Sequence, residues 1–380
     1  MKQLGAKTNL VVCQKSKVED WVEHFKTNYS IQDGMNDFEY LLFNLTDIGE
    51  LDLFITNAKT SNCKEIGVIN YDLIFRRPEL AKLKDFTLML DESSLIQNET
   101  SKRSKFILRK LNPTNVILLS GTPTGGKYEK LWSQCHLLGW NISKNAFWNT
   151  YVKYHFDDRN GFPMKIVDGY KNVERLKQKL REHGAIFMKS EEVFDLPSKI
   201  DNKIYVSTTK EYRKFRKDSI VKFDNHEFVG DTALTKMLYE RMLCSNNEKL
   251  NSLRDLLDST DDRVIIFYNF QNELIKLLEL VEELQRPISI INGSTKDLEA
   301  YEKSENSVTL IQYQAGSMGL NLQKANKIIY FTPPISSELF EQSKKRIHRI
   351  GQERTCFYYY LICRNSIEER IYKTLAMRRD

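Results

Sequence analysis

The sequence has few of the features that define secreted, zinc-binding or membrane proteins. Its six cysteines include no CxxC pair and do not cluster with the six histidines, so we expect a reducing compartment and no zinc site. No apolar run approaches membrane-spanning length, and the run at residues 10–13 is too short for a signal peptide. Internal repeats and low-complexity tracts are also absent. These absences predict a soluble intracellular protein with no membrane partner.

Charge is nearly balanced, with 57 Lys and Arg against 51 Asp and Glu, which gives a formal net charge of +6. A mildly basic chain is compatible with a nucleic-acid partner but does not by itself establish one. The basic residues concentrate near the C-terminus, where residues 341–354 contain five Lys or Arg and two Glu. At 380 residues and 41% hydrophobic, the chain can form two or three domains.

Short apolar runs alternate with helical patterns in both halves of the chain. In the first half we predict strands at residues 9–13, 51–56, 66–70, 86–90 and 115–120, and helices at 17–25 and 102–111. In the second half we predict strands at 203–207, 264–268, 288–291, 308–312, 327–331 and 356–363, and helices at 272–284, 338–350 and 367–378. Runs that are apolar on both faces indicate parallel sheets covered by helices. The predicted fold class is therefore α/β, with two lobes.

Between the lobes, residues 138–197 lose this alternation and are rich in aromatic residues and lysine. We interpret the segment as a mainly helical insertion, with a helix near residues 173–183, and we expect it to position DNA or a partner. The best domain boundary lies at residues 196–199. The predicted domains are therefore residues 1–197, including the insertion, and residues 198–380.

Two adjacent carboxylates, Asp91 and Glu92, follow directly on the apolar run at residues 86–90. Ligands of open α/β sheets bind at the carboxyl ends of the strands. An aspartate there can hold Mg²⁺ and a neighbouring glutamate can polarise a water molecule, as nucleotide hydrolysis requires. Two acids after a strand are also common in ordinary turns, so this pattern alone does not decide between the two.

The segment GTPTGGKY at residues 121–128 follows a predicted strand and fits the GxxxxGK pattern of a phosphate-binding loop. We do not assign it that role. Tyr128 stands where Ser or Thr would reach the metal, and Pro123 removes one backbone N–H donor from the loop. A small-molecule kinase built on residues 121–127 is therefore a disfavoured alternative.

The segment EQSKKRIHRIGQ at residues 341–352 places Arg346 and Arg349 three residues apart. On the predicted helix both side chains, and that of Gln342, lie on one face. Two guanidinium groups just before the helix-ending Gly351 suit a polyanion whose charge grows during a reaction, such as a transferring phosphoryl group. The alternative is a solvated basic end of a helix.

Six motifs in this order resemble the Swi/Snf-type branch of superfamily-two DNA helicases and translocases, in a compact form typical of phage or bacterial members. They are DE at 91–92, SGTP at 120–123, VIIFYNF at 264–270, NGS at 292–294, QAGSMGLNL at 314–322 and RIHRIGQ at 346–352. The likeness runs from about residue 9 to the C-terminus, and the last two motifs are the most specific. The resemblance implies two RecA-like lobes, ATP and Mg²⁺ as cofactors bound in the cleft between the lobes, and ATP-dependent translocation on double-stranded DNA.

The resemblance also implies roles for individual residues. Asp91 would bind Mg²⁺, Glu92 would activate water, and Arg346 and Arg349 would reach the nucleotide phosphates. The residues implied at the nucleotide are Gly121, Thr122, Gly316, Gly319 and Asn321. The residues implied at the DNA backbone are Lys15, Ser16, Lys17, Asn70, Tyr71, Asn269, Gly293, Ser294 and Gln314. Backbone contacts imply little sequence specificity. We also expect some of Lys344, Lys345 and Arg354 to bind DNA phosphates.

The chain departs from the family pattern in three places. Ser93 and Ser94 replace the Ala-His pair that usually completes the acidic motif, and Gln14 replaces a proline. No GxxxxGK[ST] loop occurs in residues 1–380, where residues 1–5 resemble the last turn of a helix capped by Gly5. Without that loop we expect triphosphate binding to be badly weakened, and the first lobe to lack a central strand.

The runner-up is therefore a non-catalytic DNA-binding module, or one half of a split motor completed by a separate polypeptide that supplies the loop. The compact size and the absence of accessory domains lead us to expect a protein of the bacterial or phage-infected cytoplasm that associates with DNA.

Overall fold

The structure, a computed structural model, describes residues 1–29, 40–121, 123–124, 127–157, 163–188, 195–223, 226–316 and 320–377. The chain divides into two units, Met1–Phe187 and Met188–Arg379. Each unit is built on one parallel sheet. Within the described ranges, no helix is both long and apolar enough to cross a membrane.

The first unit contains a five-stranded parallel sheet in the order β2-β3-β1-β4-β5. Its strands are β1 (Thr8–Cys13), β2 (Tyr40–Asn44), β3 (Lys64–Asn70), β4 (Phe86–Leu90) and β5 (Asn115–Leu118). All six residues of the central β1 are buried. A strand that is buried on both faces requires a continuous apolar run rather than an alternating one, which is why it was predictable.

Helices cover both faces of this sheet. The described helices are α1 (Val18–Tyr29), α2 (Ile48–Thr60), α3 (Lys102–Lys110), α4 (Trp132–Leu137), α5 (Lys144–Tyr151) and α6 (Val173–Glu182), with 3₁₀ helices at Lys2–Leu4, Lys15–Lys17, Ile74–Arg76, Pro78–Lys82, Ser93–Ile96 and Tyr128–Lys130. Leu10 and Val12 pack with α2 and α3. Val11 and Cys13 point to the opposite face and pack with α1.

The predicted strand at residues 51–56 is wrong, because this segment lies inside α2. The Asp47 side chain accepts a hydrogen bond from the Glu50 backbone N–H at 3.0 Å and caps the helix. Leu51, Phe54 and Ile55 are buried at the i, i+3, i+4 spacing of a helix face. A short apolar run does not separate a strand from a buried helix segment, and β2 was missed for the same reason.

The expected gap inside the first sheet is not present. The strands from β2 to β5 pair without interruption, and β5 is the outer strand. All four residues of β5 are only half-buried. In the described sheet a further strand could pair only at an outer strand, β2 or β5, and not at its centre.

In the segment after α4, the predicted helix at residues 173–183 is confirmed as α6. The segment also contains an antiparallel ribbon that was not predicted, made of β6 (Val152–Asp157) and β7 (Met164–Tyr170). Most of the ribbon's side chains are exposed or half-buried, so it has no buried apolar face that would mark it in the sequence.

The second unit contains a six-stranded parallel sheet in the order β12-β13-β11-β14-β15-β8. Its strands are β8 (Lys199–Val206), β11 (Val264–Tyr268), β12 (Ile288–Ile291), β13 (Val308–Gln312), β14 (Lys327–Tyr330) and β15 (Cys356–Cys363). A short antiparallel ribbon consists of β9 (Ile220–Phe223) and β10 (His226–Val229). All six predicted strands of this half are confirmed within a few residues at their ends.

The described helices of the second unit are α7 (Lys210–Asp218), α8 (Ala233–Met242), α9 (Asn247–Asp258), α10 (Gln271–Glu283), α11 (Glu299–Lys303), α12 (Tyr313–Gly316), α13 (Ser337–Lys344) and α14 (Ile367–Met377). A fully buried ion pair joins α9 to α14, with Lys249 Nζ 2.6 Å from Glu368 Oε1. Lys249 also donates to the carbonyl of Phe331 at 2.8 Å, just beyond β14. Removing either partner would leave a buried charge uncompensated, so the pair fixes the positions of both helices against the sheet.

Glu65, at the start of β3, provides a test of burial in the first sheet. Its carboxyl group is completely buried, and Oε1 accepts a hydrogen bond from Thr8 Oγ1 at 2.7 Å. Burial raises the pKa of Glu65 from 4.5 to about 7. Between those pH values the folded state binds more protons than the unfolded state, so the free energy of unfolding falls as the pH rises through this window.

We predict that Glu65→Gln removes this pH-dependent fall in the free energy of unfolding. The variant should stabilise the first unit by roughly 2 kcal/mol at pH 8, with little difference from the parent protein at pH 4.5. Urea unfolding followed by tryptophan fluorescence measures it, because all four tryptophans lie in the first unit. Glu23→Gln, at an exposed position of α1, is the matched control. Parallel stability–pH curves for Glu65→Gln and the parent protein would refute the assignment.

Candidate functional site

The carboxyl ends of β1, β3, β4 and β5 meet at one edge of the first sheet, because all four strands are parallel. The turn after β4 carries Asp91 and Glu92, and the loop after β5 begins at Leu119. These two segments are in direct contact, since the Ser93 N–H donates to the Leu119 carbonyl at 2.8 Å. The sheet thus brings the predicted acids next to the predicted loop. Gly121 is exposed there, and Thr122 lies outside the described residues.

Asp91 is held in a fixed orientation by residues that the sequence did not identify. The indole Nε1 of Trp21 in α1 donates to Asp91 Oδ2 at 2.9 Å. The Tyr71 hydroxyl donates to the Asp91 backbone carbonyl at 2.9 Å. A half-buried carboxylate at a strand end is the oxygen ligand that Mg²⁺ prefers, so Asp91 fits the predicted metal role. Trp21 was missed because it lies 70 positions from Asp91.

Glu92 adopts a left-handed backbone conformation, with φ 53° and ψ 57°. For a residue with a side chain this conformation costs about 1–2 kcal/mol relative to the right-handed region. Such strained positions concentrate at active sites, where they aim a side chain that the regular structure would direct elsewhere. The conformation therefore agrees with a functional role for Glu92 in the acidic turn.

Two residues predicted to contact DNA are used inside the first unit instead. Asn70 is 2% exposed, and its Oδ1 accepts hydrogen bonds from the backbone N–H groups of Asp72 and Leu73, both at 3.0 Å. Tyr71 is also 2% exposed and supports the acidic turn through its hydroxyl group. Burial, with the charge of Asp91 adding to it, raises the pKa of the Tyr71 hydroxyl well above its usual value, so it stays a donor. In contrast, Lys15 and Ser16 are exposed at this edge, and Lys17 pairs with Asp20 at 2.5 Å.

A polar link joins the acidic turn to the loop after β5. Ser93 Oγ donates to Gln134 Oε1 at 3.3 Å, and Gln134 Nε2 donates to the Pro123 carbonyl at 2.8 Å. The same carbonyl accepts from Gln97 Nε2 at 3.0 Å. Ser93 and Gln134 are buried, at 1% and 5% exposure. Ser93 is one of the two serines that replace the family's Ala-His pair. It connects the acidic turn to the loop after β5 through Gln134 of α4.

In the second unit, Asn269 lies at the carboxyl end of β11 and is tied to the segment after β14. Its Nδ2 donates to Thr332 Oγ1 at 2.8 Å and to the Pro333 carbonyl at 3.0 Å. Below it, the completely buried Glu273 accepts hydrogen bonds through Oε2 from the Asn269 and Phe270 N–H groups and from the Thr332 hydroxyl. The glutamate three residues after the N-cap of α10 was a recognisable capping signal for this residue.

The other predicted residues of this edge are more accessible. Gly293, Ser294, Gln314 and Asn321 are exposed, and Ser294 forms a turn in which its N–H and hydroxyl both donate to Asn292 Oδ1 at 2.9 Å. Gly316 is the last residue of α12. Gly319 lies outside the described residues.

The prediction that Arg346 and Arg349 share one face of a helix is wrong. The helix α13 ends at Lys344, and both arginines lie in the turns that follow. Arg346 is only 8% exposed, with Nη1 3.5 Å from the Leu320 carbonyl, and its own carbonyl accepts from the Leu322 N–H at 3.2 Å. Arg349 is half-buried, and burial lowers the pKa of its guanidinium. Gly351 has φ +90° in a turn rather than at the end of a helix.

Two cations that we expected to face DNA phosphates are instead engaged within the second unit. Lys344 Nζ lies 4.7 Å from the ring centre of Phe340 and 3.5 Å from Asp201. Arg354 donates to Asp262 at 3.0 Å and to the Lys324 carbonyl at 2.8 Å. Lys345 is exposed. Lys344 is thus largely covered as well as paired, whereas Arg354 keeps about half of its side chain exposed.

One possible cation-binding cluster brings together Cys244, Cys363 and Glu368, all buried, with ligand atoms within 4.8 Å of one another. No histidine takes part. The Lys249 ammonium group already lies 2.6 Å from Glu368, and Glu368 Oε2 accepts the Cys363 N–H at 2.9 Å. The carboxylate of this cluster is thus matched by a resident positive charge.

The SNF2-related domain matches residues 1–255, and the helicase conserved C-terminal domain matches residues 248–351. The chain therefore belongs to the SNF2-related family. This assignment agrees with the resemblance drawn from the motifs and with the two α/β units built on parallel sheets.

Similar proteins come from several lineages. The chain is 25% identical over 409 residues to the SWI/SNF-related matrix-associated actin-dependent regulator of chromatin subfamily A member 1 of Mus musculus, covering 96% of this chain and 37% of that protein. It is 26% identical over 331 residues to YwqA of Bacillus subtilis, whose name describes an ATP-dependent helicase/translocase, covering 77% of this chain and 35% of that protein. The chain thus spans little more than a third of the length of these relatives.

Among solved structures, it matches the SWI2/SNF2 ATPase core of Sulfolobus solfataricus in complex with dsDNA at 18% identity and a TM-score of 0.41, over 99% of this chain and 81% of that one.

The link through Gln134 can be tested without any activity. We predict that Gln134→Ala raises amide hydrogen exchange in the acidic turn and in residues 119–124 by roughly 10- to 100-fold, because two buried hydrogen bonds are lost together. Gln178→Ala, at an exposed position of α6, is the control and should leave both segments unchanged. Unaltered exchange in the acidic turn of Gln134→Ala would show that Gln134 does not connect the two segments.

Proposed function

We propose that this chain is the motor core of an ATP-dependent translocase that acts on double-stranded DNA. The proposal rests on membership of the SNF2-related family and on one structural observation: the acidic turn after β4. There, Asp91 is oriented by Trp21 and Glu92 has a strained backbone, at the sheet edge where ligands of parallel α/β sheets bind.

In the proposed reaction, Asp91, oriented by Trp21, would hold Mg²⁺, and Glu92 would orient and deprotonate the attacking water. The bound ion would supply charge neutralisation on the transferring phosphate. Arg349 is the better candidate for contact with the phosphates, since it is half-buried whereas Arg346 is almost completely covered. We assign Arg346 the supporting role of fixing the segment at Leu320–Leu322 through its backbone and Nη1 contacts.

The DNA contacts are proposed at the carboxyl edges of both sheets. Lys15 and Ser16 are exposed in the first unit, and Ser294 and Gln314 are exposed in the second. These side chains suit phosphate and sugar oxygens, which carry no sequence information. Asn70 and Tyr71, which are buried, would act by supporting the acidic turn rather than by touching DNA.

A second candidate function is a DNA-binding module without ATP turnover, or one half of a split motor. The feature that motivates it is that residues 1–380 contain no GxxxxGK[ST] loop to hold a triphosphate. Both candidates bind duplex DNA, and only the first turns over ATP once the loop is supplied.

We predict that the protein binds duplexes of unrelated sequence with similar affinity and that binding weakens steeply with salt. In a plot of log binding constant against log salt concentration, each phosphate contacted contributes about −0.9 to the slope. Lys15→Gln should reduce this slope. Lys59→Gln is the matched control, because Lys59 is an exposed lysine near the end of α2, at the amino edge of the sheet. Fluorescence anisotropy across a salt series measures both, and an affinity that hardly changes up to physiological salt would contradict the electrostatic contact.

We predict that residues 1–380 alone hydrolyse ATP near background, and that joining a strand, a GxGKT-type loop and a helix ahead of Met1 produces duplex-stimulated hydrolysis. The reason is geometric, since oriented acids accelerate hydrolysis only when the triphosphate is held between them. In the extended protein, Glu92→Gln should abolish turnover while ATP remains bound, and Arg349→Ala should reduce turnover by about 10³-fold.

The control for the extended protein is Arg175→Ala, which removes an exposed arginine of α6 and should leave turnover unchanged. Duplex-stimulated hydrolysis by residues 1–380 that disappears on Lys127→Ala would instead identify residues 121–127 as a working phosphate loop. DNA binding without turnover in the extended protein would favour the second candidate function.

A further inference from the structure

Helix α7 presents a line of exposed positive charges in the second unit. Lys210, Arg213, Lys214 and Lys217 follow the i, i+3, i+4, i+7 spacing of one helix face, and all four are exposed. The opposite face of α7 is buried through Tyr212 and Phe215. We call the four exposed residues the basic stripe. At 1.5 Å per residue it extends for roughly 10 Å.

Among the described residues, the basic stripe is set apart by its lack of ion pairs. Within the part of the chain that the structure describes, no carboxylate lies within ion-pair distance of its four side chains, whereas Lys177, Lys303 and Lys324 each pair with a glutamate. Like charges four residues apart destabilise a helix by about 0.2–0.5 kcal/mol per pair, and the stripe contains two such pairs, which Glu211 and Asp218 of the same helix offset in part. A helix that keeps this repulsion suits an external anion that relieves it.

The surface beside the stripe is concave. Lys210 and Lys214, together with Lys222 on β9, line a depression of about 500 Å³, with Glu211 and Asp218 also lining it. Ile220 on the same wall is 47% exposed. A concave surface with three lysines against two acids favours an anionic ligand that is larger than a single ion.

The basic stripe lies at the same edge of the second sheet as the proposed DNA contacts. Helix α7 starts soon after the carboxyl end of β8, and Gln314 follows the carboxyl end of β13. Because β8 is four strands from β13 in the sheet order, the two points are separated by roughly 19 Å at 4.8 Å per strand. That separation is about six base pairs along a duplex, since successive base pairs are about 3.4 Å apart.

We propose that the basic stripe is an additional binding surface for the sugar–phosphate backbone of duplex DNA, one that extends the contact at the carboxyl edge of the second sheet. It supplies four exposed charges, whereas Lys344 is largely covered and engaged with Asp201. The inference rests on the proposed function for the identity of the polyanion.

The test compares two variants of the full chain that carry the same net charge. In the stripe variant Lys210, Arg213, Lys214 and Lys217 are replaced by Gln, and in the control variant Lys177, Lys179, Lys303 and Lys324, which pair with glutamates, are replaced by Gln. Each set lowers the formal charge from +6 to +2, that is 6 − 4. Duplex binding is measured by anisotropy over a salt series, and circular dichroism checks that both variants are folded.

We expect the stripe variant to lose about 3 in the log–log salt slope, at roughly 0.9 per phosphate contact, while the control variant keeps the slope of the parent protein. Equal slopes for the two variants would overturn the inference and leave the proposed function standing. A parent protein that does not bind duplex DNA would overturn the proposed function together with the inference. If the stripe variant retains DNA binding and loses binding to polyglutamate, the surface accepts an acidic protein segment and the DNA assignment is wrong.

Discussion

The parallel pairing of the strands is the constraint on which both units depend. Parallel strands all end at the same edge, so residues that are distant in sequence become neighbours there without any direct local signal. In the first unit this brings Lys15, Asp91 and Ser120 to one edge, and in the second unit it does the same for Asn269 and Gln314. The proposed chemistry of each unit is therefore set by topology first and by individual side chains second.

Buried polar groups fix the orientation of the residues that lie at these sheet edges. Trp21 holds one oxygen of Asp91, Gln134 connects the acidic turn to the following loop, and Glu273 holds the backbone at Asn269. These groups are costly to bury unless their hydrogen bonds are made, so they favour a single arrangement of each edge. A pre-oriented carboxylate needs less reorganisation when a cation and a phosphate arrive, which is the usual source of electrostatic catalysis.

The sequence was informative where burial imposes a strong pattern. Strands such as β4 and β11 are buried at every position and almost entirely apolar because both of their faces are covered, and the acids after β4 were found from that pattern. The segment at residues 51–56 failed because a short apolar run suits a helix equally well. The end of α13 was misplaced because its basic continuation and Gly351 resemble an ordinary helix end, whereas Arg346 turns inward to contact Leu320.

Contacts between distant residues account for most of what was not predicted. The hydrogen bonds of Trp21 with Asp91 and of Gln134 with Pro123 arise from tertiary packing, and no local spacing encodes them. Lys344 is likewise engaged by an acid of the same unit, which charge alone could not indicate, while Lys345 and Arg354 remain exposed. Spacing and charge therefore identified candidate residues, and packing decided which of them remain accessible.

The central proposal is that Glu92 and Arg349 both take part in the turnover of ATP. A double-mutant cycle on duplex-stimulated ATP turnover tests this most directly, using Glu92→Asp, Arg349→Lys and the combined variant in a protein that carries the phosphate loop, because these milder changes leave a turnover rate that can be measured. Residues that stabilise one transition state together give strongly non-additive losses, so the account predicts a double variant hardly slower than the slower single variant. Losses that add in full on the logarithmic scale would contradict it.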